Sequence, residues 1–140
     1  MKCENPLFRY HEDISRNCGK CYACVVNKRR KWACRIMLEA RYHAESSFIT
    51  LTYADAPPAL RPSHLTTFFK NLRYEVHDFR YYAVGEYGDK SLRPHYHAIL
   101  FGIPCTLEPR LAKVWQHGFI QVSELTDTRA SYVANYTVKK

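Results

Sequence analysis

At 140 residues the chain is long enough for one domain with a core of its own, and its makeup is that of a globular protein: 46% hydrophobic, 24% charged, mean hydropathy −0.43. No apolar run approaches the roughly 18 residues of a membrane span. The opening Met1-Lys2-Cys3-Glu4-Asn5-Pro6 has no apolar stretch like that of a secretion signal, so the reading is a cytoplasmic protein with no membrane partner. The 21 Lys and Arg against 13 acids leave a net charge of +8, and 11 tyrosines accompany it. Basic side chains displace counterions from phosphates and flat rings stack on unpaired bases, so a nucleic acid is the partner class these numbers favour.

Residues 1–23 carry no hydrophobic period and read as an irregular arm ordered by its cysteines. Three of the six cysteines fall in Cys18-Gly19-Lys20-Cys21-Tyr22-Ala23-Cys24. Two overlapping C-x-x-C spacings in a chain without a secretion signal point to thiolate ligands of a structural zinc, with an iron–sulfur cluster as the other use of the same set. Cys3 is the natural fourth ligand; His11 and Cys34 are its rivals. From about Cys24 to Ala44 the pattern turns helical, with Val25, Trp32, Ile36 and Leu38 as an apolar stripe. Lys28, Arg29, Arg30, Lys31 and Arg35 give this helix a basic face. A merely solvated face would mix in acids, so these five are read as DNA phosphate contacts.

Phe48 to Tyr53 is β-branched and aromatic and ends at Asp55-Ala56-Pro57-Pro58, hence a strand. Ser63 is expected to cap a helix running to Val76, with Leu65, Phe68, Phe69 and Leu72 at helical spacing. A strand over Phe79–Tyr87 closes at Gly88-Asp89, a second spans 94–102, and a short helix spans Leu107–Trp115. Phe119–Leu125 is the last strand and Thr128–Lys140 the last helix. From 48 to 125 the order is βαββαβ, the split-βαβ order of an α+β, ferredoxin-like (RRM-like) antiparallel sheet with helices on one face. With no repeat or low-complexity tract, residues 1–140 read as one domain bearing an N-terminal arm.

Chemistry concentrates in three of these segments. Alternate side chains of a strand leave one face, so His95 and His97 project together from Pro94-His95-Tyr96-His97. Glu86 lies near the end of the neighbouring hairpin strand. Two imidazoles and a carboxylate with open positions suit Mg²⁺ or Mn²⁺ bound to a phosphate. Tyr132 and Tyr136, four apart, share one face of the last helix, with Lys139 and Lys140 close by. A phenol beside a metal can attack phosphorus, and an ammonium would stabilise the phenolate.

This set resembles the HUH endonucleases, most closely the replication initiators of microviruses. The resemblance rests on the Cys18–Cys21 run with the basic helix, Phe48–Tyr53, Gly85-Glu86-Tyr87-Gly88, Arg93-Pro94-His95-Tyr96-His97 and Tyr132 through Lys140, in that order. It implies a nicking and joining enzyme that starts rolling-circle replication of a small circular phage genome in the bacterial cytoplasm. The metal on His95, His97 and Glu86 would bind the scissile phosphate of single-stranded origin DNA. Tyr132 and Tyr136 would alternate as nucleophiles through a 5′-phosphotyrosine, with Lys139 assisting, or Lys140 in its place. Host replication proteins would be the partners. Tyr96 departs from the plain hydrophobe that the family pattern places between the histidines. Members of the family also continue past the lysines, which implies a piece of a longer protein. Two other readings use the same residues: a zinc-containing, non-catalytic nucleic-acid module, and a transposase or relaxase of the same chemistry.

Overall fold

A computed structural model describes residues 1–9 and 12–138, leaving aside the side chains of residues 9 and 12–14. The elements run β1 (Leu7–Arg9), β2 (Glu12–Arg16), α1 (Tyr22–Ala40), β3 (Ser46–Tyr53), α2 (Pro62–Glu75), β4 (Arg80–Tyr87), β5 (Pro94–Phe101), α3 (Glu108–Val114), β6 (Gly118–Glu124) and α4 (Asp127–Val138). The first two strands pair antiparallel, so the arm contains a hairpin where the sequence reads as irregular. A strand of three residues is too short to show a period of two.

Strands β3 to β6 form one antiparallel sheet in the order β4-β5-β3-β6. With its two crossover helices this is the expected ferredoxin-like α+β core. Helices α2 and α3 cover one face: Phe68, Phe69, Leu72 and Leu111 pack on Ile49, Leu51, Tyr96, Ala98 and Leu100. Helices α1 and α4, which flank the core in sequence, pack together on the opposite face, where Ile36, Ala130, Val133 and Ala134 meet Ile99 and Phe101. The sheet is therefore covered on both sides, not only on the side its crossover helices occupy. Strand β5 lies inside the sheet with helices above and below, which explains why Ala98-Ile99-Leu100-Phe101 is apolar without alternation.

Helix boundaries differ from the sequence reading at two points. Helix α1 begins at Tyr22 and ends at Ala40, and it buries Ala23, Cys24, Val26 and Ile36, whereas Leu38 is exposed. Helix α2 starts one residue earlier than a Ser63 cap requires: Pro62 occupies the first turn, where its missing N–H costs nothing, and Arg61 stands at the cap position without a side-chain cap. The Tyr96 hydroxyl instead accepts the Arg61 N–H at 2.6 Å. This accounts for a phenol between the two histidines. Tyr96 points to the face opposite theirs, packs edge-on against Tyr53 and Trp115, and anchors the entry to α2.

At Gly118, opposite Tyr53 in the β3–β6 pair, an added Cβ would lie 2.4 Å from the Thr52 carbonyl oxygen and 2.5 Å from the Ala54 nitrogen. Both are backbone atoms held in the sheet, so neither can swing away. Gly118→Ala is expected to destabilise the fold by about 2 kcal/mol or more, read as a lowered midpoint in urea denaturation.

Candidate metal and nucleophile site

The register of β4 and β5 sets Glu86 directly opposite His95 and Val84 opposite His97. Side chains of Glu86, His95 and His97 therefore leave the same face, the one that α1 and α4 cover. Their ligand atoms lie within 4.8 Å of one another. Glu86 Oε2 stands 3.0 Å from His97 Nε2 and 3.3 Å from His95 Nε2. Glu86 and His97 are both buried, at 7% and 6% exposure.

The outer nitrogens of both rings are tied down. His95 Nδ1 lies 3.2 Å from the Arg93 carbonyl oxygen, which only accepts, so this nitrogen carries the proton. In the neutral ring the Nε2 lone pair then faces the Glu86 carboxylate. Two acceptors at 3.3 Å repel unless a proton or a cation lies between them. His97 Nδ1 pairs with Thr50 Oγ1 at 3.0 Å, and Phe48 stacks on the ring. Burial, and after it the neighbouring His95, hold the His97 imidazole below its ordinary value, so the ring is neutral at pH 7, the form that ligates a metal. This donor set fits a divalent cation: two imidazole nitrogens whose rings are held from behind and one carboxylate oxygen, open on the side facing α4.

Helix α4 brings the phenols to that side. The Tyr132 hydroxyl donates to Glu86 Oε2 at 3.2 Å and lies 3.5 Å from His97 Nε2, and the Tyr136 hydroxyl donates to the Tyr132 oxygen at 3.1 Å. Tyr132 remains 42% exposed. Burial raises the pKa of both phenols above the ordinary tyrosine value and the Glu86 carboxylate raises it further, so both are protonated at neutral pH. A bound dication would reverse this, because it neutralises the carboxylate and favours the phenolate. Lys139 and Lys140 lie outside the described residues, as does His11, a rival fourth ligand in the arm.

The basic run does not form one face. Four consecutive helical residues spread over about 300° of the circumference. Arg29 and Arg30 line an open groove of about 580 Å³ between α1 and α4, together with Ser131, Tyr132 and Asn135. Lys28, Lys31 and Arg35 fall on a different stripe, where the Arg35 guanidinium stacks on Trp32 at 4.5 Å. On the far side of the triad, His95, Arg93, Thr52 and the exposed Phe119 line a second groove of about 410 Å³. Thr50, Phe119 and Asn135 carry no motif and become visible only through register and packing. In the arm, the sulfurs of Cys3, Cys18, Cys21 and Cys24 gather within 4.8 Å of one another, while Cys34 is exposed on α1 away from them.

Thr50→Val keeps the shape of the side chain and removes the hydroxyl that orients His97. Mn²⁺ affinity, measured by calorimetry, is expected to fall about tenfold or more with the fold intact; an affinity unchanged within about twofold would remove Thr50 from the site.

The family model of the replication-associated protein ORF2 matches this chain over residues 46–140, from β3 to the last helix. Three phage proteins are similar over 88% of the chain: replication-associated protein ORF2 of Spiroplasma virus 4 at 32% identity, ORF4 of Chlamydia phage 1 at 34%, and VP4 of Bdellovibrio phage phiMH2K at 30%. The chain spans 48%, 38% and 48% of their lengths, respectively. Its fold is shared with the hypothetical protein ORF119 of Sulfolobus islandicus rod-shaped virus 1, at a TM-score of 0.58 and 14% identity over 74% of this chain and 92% of that one. By the match that takes in every strand of the main sheet, both histidines and both phenols, the chain belongs to the replication-associated protein ORF2 family.

Proposed function

We propose that this chain is the nuclease part of a rolling-circle replication initiator, which nicks single-stranded origin DNA and later rejoins it through a 5′-phosphotyrosine. One observation carries the reading: a tyrosine hydroxyl lies 3.2 and 3.5 Å from two atoms of a buried carboxylate–imidazole cluster suited to a divalent cation. Mg²⁺ or Mn²⁺ on Glu86, His95 and His97 would polarise the scissile phosphate and offset the charge it develops. The Tyr132 or Tyr136 oxygen attacks phosphorus, forming the phenol–phosphate bond as the bond to the 3′ oxygen breaks. The departing 3′ oxygen takes a proton and is left as a primer end. Attack by a 3′-hydroxyl on the phosphotyrosine reverses the exchange, so no external energy source is needed to rejoin the strand.

Two phenols in contact suit two successive transfers, one holding the first 5′ end while the other cuts again. Lys139, one helical turn beyond Tyr136, is the assisting ammonium in this reading, and Lys140 is its substitute. The two grooves give the strand a course through the triad. Arg29 and Arg30 would hold phosphates on the Tyr132 side, and Phe119 would stack a base on the His95 side. Lys28, Lys31 and Arg35 would add general attraction from their own stripe. A non-catalytic nucleic-acid module would leave this meeting of β4, β5 and α4 without a purpose. A transposase or relaxase would use the same site, and similarity to phage replication-associated proteins favours the initiator. The site of action would be the host cytoplasm, with host replication proteins as partners; among the described residues no helix is long and apolar enough to cross a membrane.

The test is incubation of the full chain with labelled single-stranded origin DNA and Mn²⁺, followed by a denaturing gel. A covalent protein–DNA band is expected for the parent and for each single variant, Tyr132→Phe or Tyr136→Phe. It should fall by at least about 10³-fold in the double variant. A band that persists in the double variant would overturn the assignment of the nucleophiles.

A further inference from the structure

We propose that Cys3, Cys18, Cys21 and Cys24 hold one structural zinc ion that fastens the N-terminal arm to the start of α1. The site lies outside residues 46–140, where the family match falls, and apart from the triad. Four sulfurs at about 2.3 Å from a tetrahedral zinc would stand about 3.8 Å from one another. Here Cys18 and Cys24 are 3.9 Å apart, Cys3 and Cys21 are 3.9 Å apart, and all four fall within 4.8 Å. These separations are nearly twice the roughly 2.05 Å of a disulfide, and they enclose room for a single ion.

The local backbone is shaped for thiolates. Gly19 takes a left-handed conformation at φ 75°, which folds Cys18-Gly19-Lys20-Cys21 into a knuckle. The amides of Lys20 and Cys21 then both donate to Cys18 Sγ, at 3.5 and 3.3 Å, and the Cys18 amide donates to Cys3 Sγ at 3.3 Å. Hydrogen bonds from backbone N–H groups stabilise sulfur carrying negative charge. Cys21 is also the N-cap of α1, yet it makes no side-chain cap, and no acid lies in the first turn. A zinc tetrathiolate, with a net charge of −2, would supply the negative charge that this nineteen-residue helix otherwise lacks at its positive end.

The mechanical consequence follows from which residues are joined. Cys3 belongs to the arm ahead of the β1–β2 hairpin, Cys18 follows the hairpin, and Cys21 and Cys24 begin α1. One ion closes both ends of the hairpin onto the helix that also carries Arg29 and Arg30. The Met1 ammonium and carbonyl contact the Asn27 side chain at 3.3 and 2.6 Å, which lays the first residue along the same helix.

The experiment uses the full chain, reduced and dialysed against metal-free buffer. Elemental analysis should find close to one zinc per chain, and Co²⁺ in its place should give the intense sulfur-to-cobalt charge transfer and visible bands of a tetrahedral four-thiolate site. Cys18→Ser and Cys21→Ser should each weaken Co²⁺ binding by about tenfold or more. Cys34→Ser and His97→Ala should leave it unchanged, which separates this site from the triad. Removing the ion from the parent with a chelator should speed tryptic cleavage after Arg16 and Lys20. Failure of the reduced parent to retain zinc after supplementation would overturn the proposal, and so would a cobalt spectrum lacking four thiolates. Both are read on the unmutated chain, so a variant that fails to fold cannot mask the result.

Discussion

A single buried carboxylate organises the functional half of this molecule. Glu86 is 7% exposed, and among the described residues its ion-pair partners are the two imidazoles of His95 and His97. Burying a charge among neutral acceptors is costly unless a cation or proton compensates it. The His95 tautomer, fixed by the Arg93 carbonyl, turns a second lone pair toward the same oxygen. The cluster thus calls for a positive charge at its centre, and the Tyr132 hydroxyl is the polar group that reaches it from α4. A dication there would satisfy the carboxylate and both rings, and it would shift the phenols toward the form that attacks phosphorus.

The fold makes this arrangement possible by covering its sheet twice. The crossover helices α2 and α3 bury one face, where Tyr96 serves structure alone. The flanking helices α1 and α4 cover the other face, and their junction lies over the triad, leaving grooves on either side. Small residues on α4, Ala130 and Ala134, let that helix lie close against the sheet, so Tyr132 and Tyr136 reach the strands. Stability and chemistry are divided between the two faces of β5, with residue parity deciding which side chain does which.

That parity is what can be read from the sequence. The β-forming stretch around His95 and His97 sets both rings on one face, and the hairpin through Gly88 sets Glu86 opposite His95, so the juxtaposition of these three is legible from spacing. The βαββαβ order is legible for the same reason: each element is long enough to show its period. The helix positions over the second face are not, because patterning gives each helix an apolar stripe without naming the surface that receives it. The Lys28–Lys31 run looks like one basic face because consecutive charges stand out in a string, whereas a helix distributes them around its axis. Thr50 and Arg93 hold the outer nitrogens of the imidazoles, Thr50 from a different strand and Arg93 through its backbone, and neither has a local signature. The arm hairpin escapes a sequence reading because its strands are too short to establish a period.

The central claim is that the face shared by β4 and β5 binds a divalent cation through two imidazole nitrogens and one carboxylate. Pulsed electron paramagnetic resonance of the chain with one equivalent of Mn²⁺ tests it most directly, because nitrogen nuclei bonded to the ion modulate its echo. The account predicts modulation from two imidazole nitrogens, reduced to one in His95→Ala. An echo showing only coordinated water would contradict it.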